Sequence, residues 1–197
     1  MNTKFLLSNY LLKMDELNLV ALRFMEIEHD PAEIADKVFD LLVDAYIEGF
    51  AGVGLLLGDT VGAPLPSQMR SAINLKIEGK TFRNRVIEHA HNEDWQRVMV
   101  VVDTESHRVF NAGADDRAGM FERRTNSTVV KTWLTVLDEK VRETHSYLQG
   151  DEVRLRDKFF TFDGDSAYYP GDFERAENNV NCRCILSYSD MGNPILG

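Results

Sequence analysis

The sequence predicts an α+β fold, mainly helical over its N-terminal two thirds and followed by a small C-terminal antiparallel β-unit packed on a helix over residues 131–148. Three observations predict it. Apolar residues recur at spacings of three and four through most of the chain up to Leu148. The pattern then changes to the alternating, aromatic run "EVRLRDKFFTF". A turn-rich segment, "DGDSAYYPGDFERAENN", separates that run from a last short strand, "CRCILSY".

Residues 1–60 read as a helical N-terminal extension. Within them "HDPAEIADKVFDLLVDAYIEGF" opens with Asp30 as N-cap, Pro31 at the first helical position and Glu33 three residues after the cap. Ile34, Val38, Leu41, Leu42 and Ala45 then form one buried face. Gly49, Gly52, Gly54 and Gly58 fit neither phosphate-loop spacing and follow no strand, so close helix packing or a C-cap explains them better. "GDTVGAPLPSQ" is a Gly/Pro loop and the expected boundary, with a main unit over 66–189 and a tail over 190–197.

A second helical stretch is expected from about residue 66 to about 112, carrying Trp95, Val98, Met99, Val102, His107, Val109 and Phe110 and ending at Gly113. Residues 114–128 are polar and read as a loop. Helix resumes in "STVVKTWLTVLDEKVRETHSYLQG", with Ser127 or Thr128 as cap and Gly150 as stop.

Composition narrows the functional classes. The chain has 197 residues, 44% of them apolar, enough for a core. Its formal net charge of -10, from 32 acidic and 22 basic residues, repels polyanions in the absence of a local basic patch. The basic runs "ERRTNSTVVK" and "RLRDK" are short and flanked by acids. Asn9, Lys13 and Asp15 interrupt the N-terminal apolar run, so the expectation is a soluble intracellular product without a secretion signal. "FAGVGLLLG" is far shorter than the ~20 residues a membrane span needs.

On a helical wheel, residues 133–148 place Trp133, Leu134, Val136, Leu137, Val141, Tyr147 and Leu148 on an apolar arc, with Asp138, Arg142 and His145 along one edge. The plainer reading is an Asp138–Arg142 ion pair worth ~0.2–0.5 kcal/mol and a histidine bonded to a carbonyl. The two cysteines, Cys182 and Cys184, stand one residue apart, too tight a ring for an unstrained disulfide, and a reduced pair is expected. Packing explains buried thiols, yet His145 with Cys182 and Cys184 also supplies three zinc-type ligands, with a carboxylate as a fourth. Structural zinc is therefore an open cofactor expectation.

These residues resemble a known pattern. Lys131, Trp133, Asp138, Arg142, His145, Gly150, Pro170, Gly171 and the terminal Asn181, Cys182, Arg183 and Cys184 match the ordered motifs of the phage Mu F-like head morphogenesis family, minor capsid proteins of tailed phages and prophages. Upstream, Thr104, Glu105 and Asn111 match the family's Thr-Glu helix, so the resemblance covers roughly residues 80–188. It implies a head-assembly component in few copies, virion-located inside the capsid near the portal vertex, and in the host cytoplasm during assembly. It also implies ejection with DNA in some phages. The implied partners are the portal protein and major capsid or scaffold protein. No membrane partner is implied, and nucleic acid only as packaged DNA. The motif set is expected to form one interlocked polar core, with Arg183 turned away from the thiols or reaching an acid.

Two other functions compete. An effector enzyme, nuclease or ADP-ribosyltransferase-like, would use His145 as general acid or base, with Asp138 beside it and Arg142 or Arg183 on a phosphate. His107 and Glu105 are then the near candidates from another helix. A zinc-stabilised interaction module is compatible with head assembly. Only "SDMGNPILG" follows Tyr188, which leads to the expectation of a head module without an appended effector.

Overall fold

The computed structural model of the chain describes residues 3–27, 30–136 and 138–192. Five helices come first: α1 (Thr3–Ile27), α2 (Pro31–Leu56), α3 (Pro66–Ile73), α4 (Phe82–His91) and α5 (Trp95–Thr125). The C-terminal part holds β1 (Val129–Leu134), α6 (Glu143–Ser146), β2 (Glu152–Arg154), β3 (Phe159–Phe160), β4 (Ser166–Ala167), α7 (Ala176–Asn179) and β5 (Ile185–Asp190). The architecture is α+β, with N-terminal helices followed by a small antiparallel sheet. No helix among the described residues is long and apolar enough to cross a membrane.

α2 starts as its sequence dictates. Asp30 caps it by accepting from the Ala32 amide at 2.8 Å, with Pro31 in the first turn. Ile34, Val38, Leu41, Leu42 and Ala45 are all buried. This face packs along α5 in the most extensive helix pairing of the molecule, and α4 completes the layer. Ile34, Leu42 and Tyr46 of α2 thus share one core with Val98, Val102 and Val109 of α5.

Two glycines set the α2–α5 distance. A Cβ on Gly49 would lie 2.0 Å from the Phe110 carbonyl oxygen, and one on Gly113 would lie 2.2 Å from that of Tyr46. The contact is reciprocal, each helix presenting bare backbone to the other. Gly113 therefore lies inside α5 as a packing glycine, and the expected stop there does not occur.

Several segment boundaries differ from expectation. The stretch expected to be continuous from 66 to 112 is three helices, restarted by caps at Thr81 and Asp94. The loop expected over 114–128 is instead the last third of α5, because Ala114, Ala118 and Phe121 continue a buried stripe beneath the charged residues. The helix expected over 131–148 is replaced by β1, a turn and the four-residue α6. Val129, Lys131 and Trp133 point inward in alternation, and β-branched and aromatic residues favour that extended conformation. The turn closes through Asp138, whose side chain accepts from the Lys140 amide at 3.0 Å and whose carbonyl accepts from the Val141 amide at 3.1 Å. Leu137, assigned to the apolar arc, lies outside the described residues, as do residues 193–197 of the tail.

β1 is the central strand of a three-stranded antiparallel sheet ordered β2-β1-β5. Its register with β5 runs from Val129 opposite Asp190 to Leu134 opposite Ile185. One face of this sheet, with Trp133, Leu186 and Tyr188, packs with Ala114, Ala118 and Phe121 of α5 in a second core. α1 closes a third cluster, in which Tyr10 and Met14 meet Leu134 and Ile185.

Gly49→Ala is expected to cost about 3 kcal/mol or more, since the helices must separate to admit the methyl group. Gly52→Ala, whose added carbon meets nothing within 4 Å, should gain up to about 1 kcal/mol in helix propensity. Urea unfolding of both variants checks the pair, and equal effects would refute the contact.

Candidate functional site

The site assembles around His145, the only histidine of α6, which is 1% exposed. Its ring stacks on Phe173 with centroids 5.1 Å apart and meets Trp133 edge-on at 5.7 Å. Trp133 is itself wedged edge-on against Phe159 at 5.1 Å and Phe173 at 5.7 Å. The imidazole is therefore held on two sides by aromatic rings, with little freedom to turn.

The "NCRC" segment lies immediately before β5 and delivers both thiols to this ring. Cys182 Sγ is 3.4 Å and Cys184 Sγ 3.5 Å from His145 Nδ1. Both cysteines are free and buried. Their donor atoms and that of His145 lie within 4.8 Å of one another. Between them Arg183 turns outward and donates to Asp138 at 2.6 Å. Alternation places the sulfurs inward and the guanidinium outward even though regular strand pairing starts only at Ile185.

The expected row of Asp138, Arg142 and His145 on one helix edge does not form. Asp138 sits on the turn and pairs with Arg183, which together with the Lys140 amide holds its carboxyl below the usual range. Arg142 precedes α6 and donates instead to the carbonyls of Asn178 at 3.2 Å and Val180 at 2.5 Å. It thereby ties the approach to α6 to the segment leading into "NCRC". Asn181, next along, adopts a left-handed conformation with φ of 54°.

The other motif residues brace the same core. Lys131 is fully buried, donates to the Tyr168 carbonyl at 2.8 Å and faces Asp115 of α5 at 3.6 Å. Gly150, at φ of 84°, donates its amide to the Trp133 carbonyl at 2.9 Å. After Pro170, Gly171 has φ of 94°, and a Cβ there would lie 2.8 Å from Arg108 Cα. Only glycine permits this approach of the loop to α5. Arg108 is in turn paired with Glu105 at 2.6 Å, and Glu105 also binds Arg85 at 2.5 Å. Thr104 and Asn111 are buried on the same helix, and Asn111 donates to the His107 carbonyl at 2.9 Å.

Asp165 organises the turn-rich segment. Its carboxylate accepts from the amides of Ser166, Glu174 and Arg175 and from the Asn178 side chain, at 2.8 to 3.2 Å. Burial raises its pKa, but these hydrogen bonds outweigh burial and leave it lowered. Asn179 clamps the same segment by accepting from the Phe173 amide at 3.0 Å and donating to the Phe173 carbonyl at 2.7 Å.

Two neighbours of the thiols are remote in sequence. His107 of α5 is 1% exposed, and Tyr10 of α1 hydrogen-bonds its Nδ1. Burial raises the Cys182 pKa, yet Cys184, His107 and His145 together bring it well below the ordinary thiol range. Cys184 moves up, through its hydrogen bond with Cys182 and then through burial. His107 was visible in sequence as a candidate from another helix. Tyr10 carried no signal, because a tyrosine 97 residues away announces no partner.

A family model described as Phage Mu protein F like protein matches residues 68–187. The chain is 33% identical over 92 residues to the Minor head protein GP7 of Bacillus phage SPP1, covering 47% of this chain and 29% of that protein. It is 32% identical over 111 residues to the NAD(+)--arginine ADP-ribosyltransferase EFV of Enterococcus faecalis (strain ATCC 700802 / V583), covering 55% of this chain and 22% of that protein. The matched segment thus spans less than a third of each relative. No solved structure matches the chain.

Two pH-linked outcomes follow. Asp165→Asn should cost about 2–4 kcal/mol at neutral pH, since an amide cannot accept all four bonds. The stability that Asp165 supplies is present above the unfolded carboxyl pKa and is lost as pH falls through its lowered folded value. The variant should therefore show a shallower acid limb in urea midpoint against pH. Asp115 behaves oppositely: burial pushes it up to about 6, with Lys131 pulling down. The folded state then holds the proton more tightly, so stability falls as pH rises from about 4 to about 6, by up to about 2 kcal/mol. Asp115→Asn should flatten that window, and parallel curves for variant and wild type would refute it.

Proposed function

The chain belongs to the Phage Mu protein F like family, and on that premise we propose that it is a minor head protein acting in head morphogenesis of a phage or prophage. The observation that carries this reading is the family match over residues 68–187, which contains His145, both thiols and the other motif residues from Thr104 to Cys184. The relative named as a minor head protein supports it. We read residues 66–189 as the head-morphogenesis unit and 1–60 as the helical extension that meets partners. The portal protein is the first partner, with major capsid or scaffold protein as others. The location is the virion, inside the capsid and portal-proximal, with host cytoplasm during assembly and ejection with the DNA as its later course.

The chemistry of the core favours a structural role for the motif residues. His145 is buried among aromatic rings, and Arg142 spends its guanidinium on two main-chain carbonyls. His145 is thus closed to a dissolved substrate, as a general acid must not be, and the Arg142 N–H groups that would clamp a phosphate are engaged by the chain itself. A match to a protein named as an ADP-ribosyltransferase keeps the effector reading as the second one, with Asp138, Arg142 and His145 as its residues.

The test is co-production with the portal and major capsid proteins encoded alongside it. The expected result is capture of the protein by the portal and its absence from heads assembled without portal. Capture by neither portal nor procapsids would overturn the reading. Turnover of NAD with an arginine acceptor, abolished by His145→Ala in a protein that still folds, would establish the effector instead.

A further inference from the structure

The juxtaposition of one imidazole nitrogen with two thiols is more than packing demands. A neutral Nδ1 has either one proton to give or one lone pair to accept with, yet sulfurs from two different residues converge on it. In a tetrahedral zinc site, Zn–S of about 2.3 Å and Zn–N of about 2.0 Å place sulfur and nitrogen ligands about 3.5 Å apart. The separations here are 3.4 and 3.5 Å. His145 Nε2 is buried with no hydrogen-bond partner among the described residues, so the ring is oriented by its Nδ1 side and by the aromatic walls.

We propose that His145 Nδ1, Cys182 Sγ and Cys184 Sγ bind a zinc ion and that His107 of α5 supplies the fourth ligand. Tyr10, which hydrogen-bonds His107, lines the same cleft as Cys182, and His107 is the one buried histidine besides His145 among the described residues. Tyr10 engages Nδ1, and Nε2 takes the metal once the Asn111 amide, 3.4 Å from it, turns wholly to the His107 carbonyl that it already reaches at 2.9 Å. A hydrogen bond on the far nitrogen is the usual support of a zinc-bound imidazole, fixing its tautomer and direction. His107 lies outside the mutual 4.8 Å spacing of the other three donors, so metal binding requires its ring to move closer to them. A set of two thiolates and two imidazoles in tetrahedral array selects zinc over magnesium or calcium. The carboxylate expected as fourth ligand is not needed, since Asp138 is engaged with Arg183 at the surface.

The site would join segments remote in sequence: α5 through His107, α6 through His145 and the approach to β5 through both cysteines. Tyr10 extends the linkage to α1. This inference is independent of the partners proposed above and stands or fails without them.

The test uses the full chain, purified under reducing conditions, with metal analysis followed by titration of the metal-free protein with cobalt(II). The expected result is one zinc per chain as purified. Cobalt should then give thiolate charge-transfer bands and the intense visible bands of a tetrahedral site. Cys184→Ser should roughly halve the charge-transfer intensity. His107→Ala should retain it, weaken cobalt binding by at least about 10-fold and lose the tetrahedral visible bands. Tyr10→Phe, which removes only the outer hydrogen bond, should weaken cobalt binding without altering the charge-transfer bands. Wild-type protein that binds neither metal stoichiometrically overturns the proposal. An unchanged cobalt affinity and spectrum in His107→Ala overturns the assignment of the fourth ligand.

Discussion

The close approach of α2 to α5 is the constraint from which the rest of the arrangement follows. Gly49 and Gly113 let each helix lay its backbone against a carbonyl of the other, at Phe110 and Tyr46. That contact fixes which way α5 is rotated. With one face of α5 committed to α2 and α4, its remaining buried positions confront the C-terminal sheet and loops. Asp59, in the loop after α2, locks the far end by pairing with Arg117 at 3.1 Å and Arg124 at 2.6 Å.

What α5 presents to the C-terminal unit is unusually polar for a core. Glu105, His107, Arg108 and Asn111 are all nearly inaccessible to solvent. Burying such groups is costly unless each is paired, and replacing them with apolar residues would in general be no less stable. Their value is in specificity. The Glu105–Arg108 pair lies under the Gly171 turn, and Lys131 reaches the Tyr168 carbonyl, so the loop can dock in one register. A purely apolar surface would accept many.

Legibility in the sequence followed the reach of each interaction. The start of α2 was readable because cap, proline and apolar face all lie within one turn of each other. The ordered motifs around His145 and "NCRC" were readable as a set, and the inward thiols and outward Arg183 follow from simple alternation. The helix expected over 131–148 does not form because Trp133, Val141 and Leu148 fall on one arc of a wheel by coincidence, while the strand register that decides the matter comes from β5, over 50 residues later. Likewise the charges of Asp115, Asp116 and Arg117 disguise a helix whose buried side is alanine. Local polarity speaks for solvent, and only the tertiary partner shows that Asp115 faces Lys131.

The sheet order β2-β1-β5 bears on how the chain is made. β1 sits in the middle, and one of its two neighbours is the last strand described. During synthesis on the ribosome, α2, α4 and α5 can pack as soon as they emerge, whereas Val129–Leu134 has an open edge until residue 190 is available. An unpaired central strand with an exposed Trp133 is a template for pairing with a neighbouring nascent chain. Completion of the sheet therefore waits on a long-range pairing with β5, whereas the helices of the first core need no such partner.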